Sequence, residues 1–302
     1  MNKPIVVVGS LNMDLVARTP RHPQIGETIL GREFQTFPGG KGANQAVAAA
    51  RLGGTVRMVG RVGEDAFGDA LLASSSQNGV DTSWILRDPR TPSGVGVVIV
   101  DDAGRNSIVV VPGANMGLTA EHVSAAESAF AGAGVLLLQL EIPLPAVERA
   151  VELARKHRLH VVLNPAPAQP LGADFLAQVD TLIPNENELE LLSGAAGTLV
   201  GVERLSARGV GRMIVTLGKD GVLVAEGDQT ASIPGHLVEA VDTTAAGDAF
   251  VGAYAVALTE GMPALQAAAW SNAAAAISVT RRGAQPSLPT RMELEEFLAR
   301  AK

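Results

Sequence analysis

The chain has 302 residues, 47% of them hydrophobic and 18% charged, which excludes a disordered polyelectrolyte and supplies the side chains for a large core. Lys and Arg number 24 against 31 Asp and Glu, a net charge of −7, the wrong sign for a general nucleic-acid binder. There is no cysteine, so disulfides, thiolate nucleophiles and cysteine zinc sites are ruled out.

The first apolar run, Ile5–Val8, is shorter than the ~7–15 residues of a signal-peptide core. No stretch reaches the ~18 uninterrupted apolar residues of a membrane span. A cytoplasmic protein without membrane contact is expected. Further short apolar runs read as buried strands: Val56–Val59, Val135–Leu138, His160–Leu163, Thr181–Ile183 and Met213–Thr216. Between them lie helical stretches at Gln45–Leu52, Gly68–Gly79 and Ala146–His157, the last with an apolar stripe at Val147, Ala150, Val151 and Ala154. This alternation predicts an α/β fold, a three-layer α/β/α arrangement around a mostly parallel sheet, as one domain over residues 1–302.

Two segments break the alternation. Residues 15–38 read as short strands at Leu15–Arg18, Thr28–Leu30 and Glu33–Thr36; residues 94–111 read as a hairpin, Gly94–Val100 with Asn106–Val111. Together they predict a small β layer inserted in the domain, either a lid or an edge without function. A further hairpin is expected over Gly221–Ile233, turning at Gly227-Asp228, then a strand end at Leu237–Val241 and a helix over Ala249–Leu258. Residues Ser193–Arg208 are glycine-rich and leave the length of any helix there open.

Chemistry concentrates in three places. Ala245, Ala246 and Gly247 open the Ala249–Leu258 helix with small residues, which leaves backbone N–H groups free to form an anion site. Asp248 stands beside them, either as a helix cap or as an acceptor for the proton of an attacking hydroxyl. Pro38-Gly39-Gly40-Lys41-Gly42-Ala43-Asn44 combines a flexible backbone with a cationic and a polar side chain, and is not a Walker A loop. Asn12 and Asp14 follow the first strand, where α/β folds bind ligands, and Glu141 follows Val135–Leu138 in the same way. The five histidines (His22, His122, His157, His160 and His236) have no ligand spacing and read as packing or surface residues.

From end to end, these motifs resemble the ribokinase family of sugar kinases. The resemblance rests on Gly39-Gly40-Lys41-Gly42-Ala43-Asn44-Gln45-Ala46 and Asp242-Thr243-Thr244-Ala245-Ala246-Gly247-Asp248. Between them, in order, come Asn164-Pro165-Ala166-Pro167, Pro184-Asn185-Glu186-Asn187-Glu188 and Thr216-Leu217-Gly218-Lys219-Asp220-Gly221; Asn272 to Ala276 and Thr280 to Ser287 follow. The resemblance implies phosphoryl transfer from MgATP to the 5-hydroxyl of D-ribose. It implies Asp248 as the base, with Ala245, Ala246 and Gly247 as the anion hole. It implies Asn12, Asp14, Gly40, Lys41, Asn44 and Glu141 for the sugar, and Asn185, Thr216, Gly218, Gly221, Gly247 and Asn272 for the nucleotide.

For Mg²⁺ it implies Glu188, through water, with helix capping as the alternative. For K⁺ it implies Asp242, Thr244, Ser278, Arg281, Gly283 and Ser287, mostly through backbone carbonyls. The β layer becomes a lid hinged at Gly39-Gly40 that pairs with a second copy in a homodimer. Asp248 need not have a raised pKa in this role, since the helix N-terminus favours its ionised form. Other members of the family, with 2-deoxyribose, fructose or a nucleoside as acceptor, remain the nearest alternatives, followed by a catalytically silent binding protein. A dinucleotide-dependent oxidoreductase fails, since the turn after the first strand reads Gly9-Ser10-Leu11-Asn12.

Overall fold

Strand β1 (Ile5–Val8) is fully buried and divides its side chains between two cores, Ile5 and Val7 on one side, Val6 and Val8 on the other. Alternating side chains that all meet apolar partners require a sheet covered on both faces. The structure, a computed structural model, describes residues 3–300. The remaining strands are β2 (Asn12–Thr19), β3 (Glu33–Gly39), β4 (Val56–Gly63), β5 (Val80–Asp88), β6 (Gly94–Asp101), β7 (Asn106–Val111), β8 (Val135–Leu138), β9 (His160–Leu163), β10 (Thr181–Leu182), β11 (Arg212–Thr216), β12 (Val222–Glu226) and β13 (Gln229–Ile233). The helices are α1 (Lys41–Arg51), α2 (Ala66–Gln77), α3 (Ala120–Ala125), α4 (Leu144–His157), α5 (Ala173–Leu176), α6 (Glu186–Ser193), α7 (Thr198–Ser206), α8 (Ala246–Thr259), α9 (Ala264–Ser278) and α10 (Arg291–Arg300).

The large sheet has nine strands in the order β13-β12-β11-β10-β9-β8-β1-β4-β5. It is parallel from β5 to β11 and antiparallel across β12 and β13. Helices α1, α2, α8, α9 and α10 cover one face, α3 to α7 the other. Successive strands proceed outward on both sides of β1, so a crevice opens where the chain order reverses, at the carboxyl ends of β1 and β8. Among the described residues, no helix is long and apolar enough to cross a membrane.

The β layer is a separate four-stranded sheet, β3-β2-β6-β7, longer at its base than the pattern suggested because β2 starts at Asn12 and β3 runs to Gly39. β2 lies parallel to β6 and antiparallel to β3. Two expected strands are absent. Thr28–Leu30 is an open loop; Leu30 in it and Ile25 just before it stand in solvent. Leu237–Val241 is also irregular: Pro234 has no N–H for a ladder, and the Val241 and Asp242 N–H groups donate instead to Val279 O at 2.7 and 3.1 Å. Conversely, β5 was not predicted. Its charged positions interrupt the apolar run because it is an edge strand with β4 as its one neighbour. Residues Ser193–Arg208 hold a full helix, α7.

Candidate active site

Asn12 and Asp14 alternate along β2 and face the same side. Their partners on β6 are Gly94 and Gly96, and a Cβ at either would lie 2.1 Å from Asn12 Oδ1 or 2.6 Å from Asp14 Oδ1. The two glycines therefore make room for the two polar side chains. Asn12, Asp14, Gly40, Lys41, Asn44, Glu141 and Asp248 all line one cleft of about 1270 Å³ between the small sheet and the crevice. Burial first, then the charges of Glu141 and Asp248, push the Asp14 carboxyl up to about 7. Burial works against the Lys41 ammonium, but Asp248, Glu141 and Glu188 outweigh it and hold its pKa above the ordinary range. Glu141 is held by its Oε2, which accepts from Ser10 Oγ and from the Lys41 N–H at 3.0 Å.

Asp248 lies in the first turn of α8, 6% exposed. Its Oδ2 accepts from Asn44 Nδ2 at 2.9 Å and its Oδ1 from Gln45 Nε2 at 3.0 Å. Behind it, Gln45 Nε2 also donates to Asn164 Oδ1 at 3.1 Å, while Gln139 Nε2 donates to Gln45 Oε1 at 2.5 Å. A raised pKa is found all the same. Burial pushes the Asp248 carboxyl above the usual carboxylate range despite the Lys41 charge and both amide hydrogen bonds, and Glu141 adds to the rise.

A second, smaller cavity of about 200 Å³ shares Lys41, Thr243, Ala245 and Asp248 with the first and adds Asn185, Glu188, Thr216, Ala246 and Gly247. Here α8 begins without a side-chain cap. Ala246 N donates to Thr243 O at 3.3 Å and Ala249 N to Ala245 O at 2.8 Å. The N–H groups of Gly247 and Asp248 find no partner among the described residues. Ala245 adopts φ 61°, a left-handed conformation costing a non-glycine residue about 1–2 kcal/mol, which aims this turn. A Cβ on Gly247 would meet no atom within 4 Å, so nothing in the protein demands glycine there. Free N–H groups, small residues and an open cavity fit a phosphate-bearing ligand.

Glu188 realises the capping reading: its Oε2 accepts from Asn185 N while Asn185 Oδ1 accepts from Glu188 N, both at 2.8 Å. Its carboxyl still lines the smaller cavity. Burial raises its pKa, against the Asn185 hydrogen bond and Lys41, while the Asp248 charge adds to the rise. One carboxylate suits a magnesium ion that keeps its water shell.

Other expected residues lie outside both cavities. Gly218 forms the turn after β11, and Gly221 is required by backbone, since its Cβ would sit 2.0 Å from Ile233 O. Asn272 Nδ2 donates to Pro234 O at 2.9 Å.

Of the residues expected around a monovalent cation, Asp242, Thr244 and Gly283 line the large cleft. Asp242 Oδ1 accepts from Thr244 N and Oγ1, and Oδ2 from Gly283 N at 2.9 Å, which joins the two loops. Burial of Asp242 is outweighed by these hydrogen bonds and by the Arg18 charge, so its pKa lies below the ordinary value. Ser278 and Ser287 bond to carbonyls one turn back, and Arg281 pairs with Glu293 at 2.7 Å. No group of three or more His, Asp or Glu able to hold a metal occurs among the described residues. A single carboxylate with no histidine or second carboxylate beside it among the described residues does not make a transition-metal site. The histidines serve structure, as expected: His157 meets Glu127 at 2.8 Å and His160 meets Thr181 at 2.9 Å.

Sequence reasoning missed Ser10, Gln45, Asn115, Gln139 and Asn164. Ser10, Gln45 and Asn164 lie inside quoted motifs, where adjacency was the available signal. Asn115 and Gln139 gave none.

The chain matches the model described as pfkB family carbohydrate kinase over residues 2–291. It is 42% identical to a ribokinase of Haemophilus influenzae over the full length of both chains. It is 38% identical to a deoxyribokinase of Salmonella typhi over 98% of each. A solved structure of Arabidopsis thaliana ribokinase complexed with ribose and ATP superposes with a TM-score of 0.89 at 34% identity, covering 99% of each chain. The chain belongs to the pfkB family of carbohydrate kinases.

Proposed function

We propose that this chain is a ribokinase that transfers the terminal phosphoryl group of MgATP to O5 of D-ribose. The observation that carries this reading is the position of Asp248, a buried carboxylate on the wall shared by a polar, hydroxyl-matching cleft and a cavity with free helix N–H groups. The sugar sits against Asn12, Asp14, Gly40, Lys41, Asn44 and Glu141. Asp248 accepts the proton of the attacking hydroxyl as the loose transition state collapses. The free N–H groups of Gly247 and Asp248 hold the charge of the transferred phosphoryl; that of Ala246, expected among them, is turned to Thr243 O. The nucleotide lies along Asn185, Thr216 and the Gly218–Gly221 turn toward Asn272, and Glu188 holds Mg²⁺ through water. When bound, Mg²⁺ and K⁺ supply positive charge beside the phosphates. Asp242 and Thr244, with the 278–287 loop, hold K⁺ and so tie it to the start of α8.

The small sheet, residues 15–38 and 94–111 with their extensions, acts as a lid over the sugar within one domain, and two lids pair in a homodimer. A cytoplasmic location goes with MgATP as donor. The 38% identity to a deoxyribokinase favours a second reading with 2-deoxy-D-ribose as acceptor. A coupled ADP-release assay across D-ribose, 2-deoxy-D-ribose, D-fructose and adenosine decides between them. Preference for ribose with stimulation by K⁺ is expected. Preference for another acceptor would overturn ribose, and equal rates in K⁺ and Na⁺ would remove the cation.

A further inference from the structure

We propose that Asn115, a residue remote in sequence from the sugar-binding set, fixes which atom of Asn12 faces the cleft and so sets the hydrogen-bonding polarity of the sugar site. The inference rests on the sugar-kinase reading above. The two arms of an amide look alike, and their orientation follows from partners that cannot rotate. Asn115 has such partners. Its Oδ1 accepts from Leu11 N at 2.9 Å. Its Nδ2 lies 3.0 Å from Leu11 O and 2.9 Å from Pro112 O. Reversed, the amide nitrogen would face an N–H and the oxygen would face two carbonyls. Asn115 is 1% exposed, so no bulk water would relieve that mismatch.

The orientation of Asn115 passes to Asn12. Asn115 Nδ2, which cannot accept a hydrogen bond and shares its two hydrogens among three acceptors, is 2.8 Å from Asn12 Oδ1, so the arm of Asn12 pointing at it is the oxygen. Gly94 makes the contact feasible, since a Cβ there would lie 2.1 Å from Asn12 Oδ1 and 2.4 Å from Asn115 Nδ2. The Asn12 NH₂ is left with no partner among the described residues, yet it is not sealed from solvent, and Asn12 lines the cleft.

Asn44 is fixed the opposite way. Its Nδ2 is used on Asp248, and its Oδ1 is buried without a partner. The site thus presents an N–H donor at Asn12 and acceptors at Asp14 and Asn44. A hydroxyl carries one proton. Where Asp14 accepts the hydrogen bond of one sugar hydroxyl, Asn12 donates to a lone pair of that hydroxyl or its neighbour. Asn115 is therefore a positioning residue, acting through Asn12.

Ribose affinity measured by calorimetry without nucleotide, together with steady-state kinetics, tests the inference on wild type, Asn115→Asp, Asn12→Ala and Asn115→Asp/Asn12→Ala. An acceptor at 115 turns the Asn12 oxygen toward the cleft. Asn115→Asp should weaken ribose binding roughly tenfold or more, with KM for ATP and kcat nearly unchanged, and should have little further effect once Asn12 is alanine. Equal losses in both backgrounds, or no loss in the single variant, overturn the inference. Asn12→Asp leaves the Asn115 anchor intact and covers the case in which Asn115→Asp does not fold. It should bind ribose more weakly than Asn12→Ala, and wild-type affinity in it overturns the inference. A wild-type chain that binds no ribose overturns the functional reading itself, and the inference with it.

Discussion

Asp248 holds two amide hydrogen bonds, and burial raises its pKa, a combination that makes it both oriented and basic. Asp248→Asn preserves the size of the group and removes its ability to take a proton. Turnover should fall ~10²–10⁴-fold with ribose affinity within a few-fold of wild type, read by single-turnover kinetics and calorimetry. Near-normal turnover would take Asp248 out of the chemistry. Asp14 supplies a pH signature. Its carboxyl rises from the ordinary 3.8 to about 7 in the folded chain, so between those values the folded state holds a proton that the unfolded state has released. The contribution of Asp14 to stability is therefore lost as pH rises toward about 7, and is level above it. The melting temperature of the ligand-free wild type should fall between about pH 5 and 7 relative to that of Asp14→Asn. Parallel curves would place the Asp14 pKa at an ordinary value.

At the level of elements, the start of α8 separates what the fold needs from what a ligand needs. A Cβ at Gly247 meets no protein atom, and alanine is the better helix former by about 1 kcal/mol. Gly247→Ala should melt no lower than wild type yet lose at least tenfold in kcat/KM for ATP. A stable, fully active variant would end the case for an anion hole there. The sequence carried much of this architecture, because buried parallel strands are short apolar runs and β1, β8 and β9 are such runs at the predicted residues. It carried less where an element owes its state to one neighbour. β5 is stabilised along one edge, so its apolar pattern is diluted. Leu237–Val241 has strand-like composition but follows a proline and bonds to the end of α9. The site was legible where glycines and polar residues cluster, at Gly39–Asn44 and Asp242–Asp248. Of the amides behind it, Gln45 and Asn164 were marked only by standing inside motifs, and Gln139 and Asn115 were silent, because a buried amide is recognisable only from its partners.

Across the whole molecule, β7 stands out: all six residues of Asn106–Val111 are exposed, and Val109 is 63% exposed on an unpaired sheet edge. Edges of that kind associate unless blocked. With Phe34 and Val97, Val109 contributes exposed apolar surface on the same small sheet. Light scattering should report a dimer for the wild type and a monomer for Val109→Lys. A wild-type monomer at micromolar concentration would refute pairing through this sheet.

Asn12 and Asp14 ride on the small sheet, whereas Asp248 is rooted in the helical layer beneath the large one, and Gly40 alone separates β3 from α1, the helix whose Asn44 and Gln45 hold Asp248. The gap between Asn12 and Asp14 on one side and Asp248, with Lys41, Asn44 and Glu141, on the other is therefore a property of the angle between two sheets. Tilting one sheet on the other would carry Asn12 and Asp14 together toward or away from Asp248. A substitution far from either site that biases this angle would alter turnover while leaving each set of contacts intact.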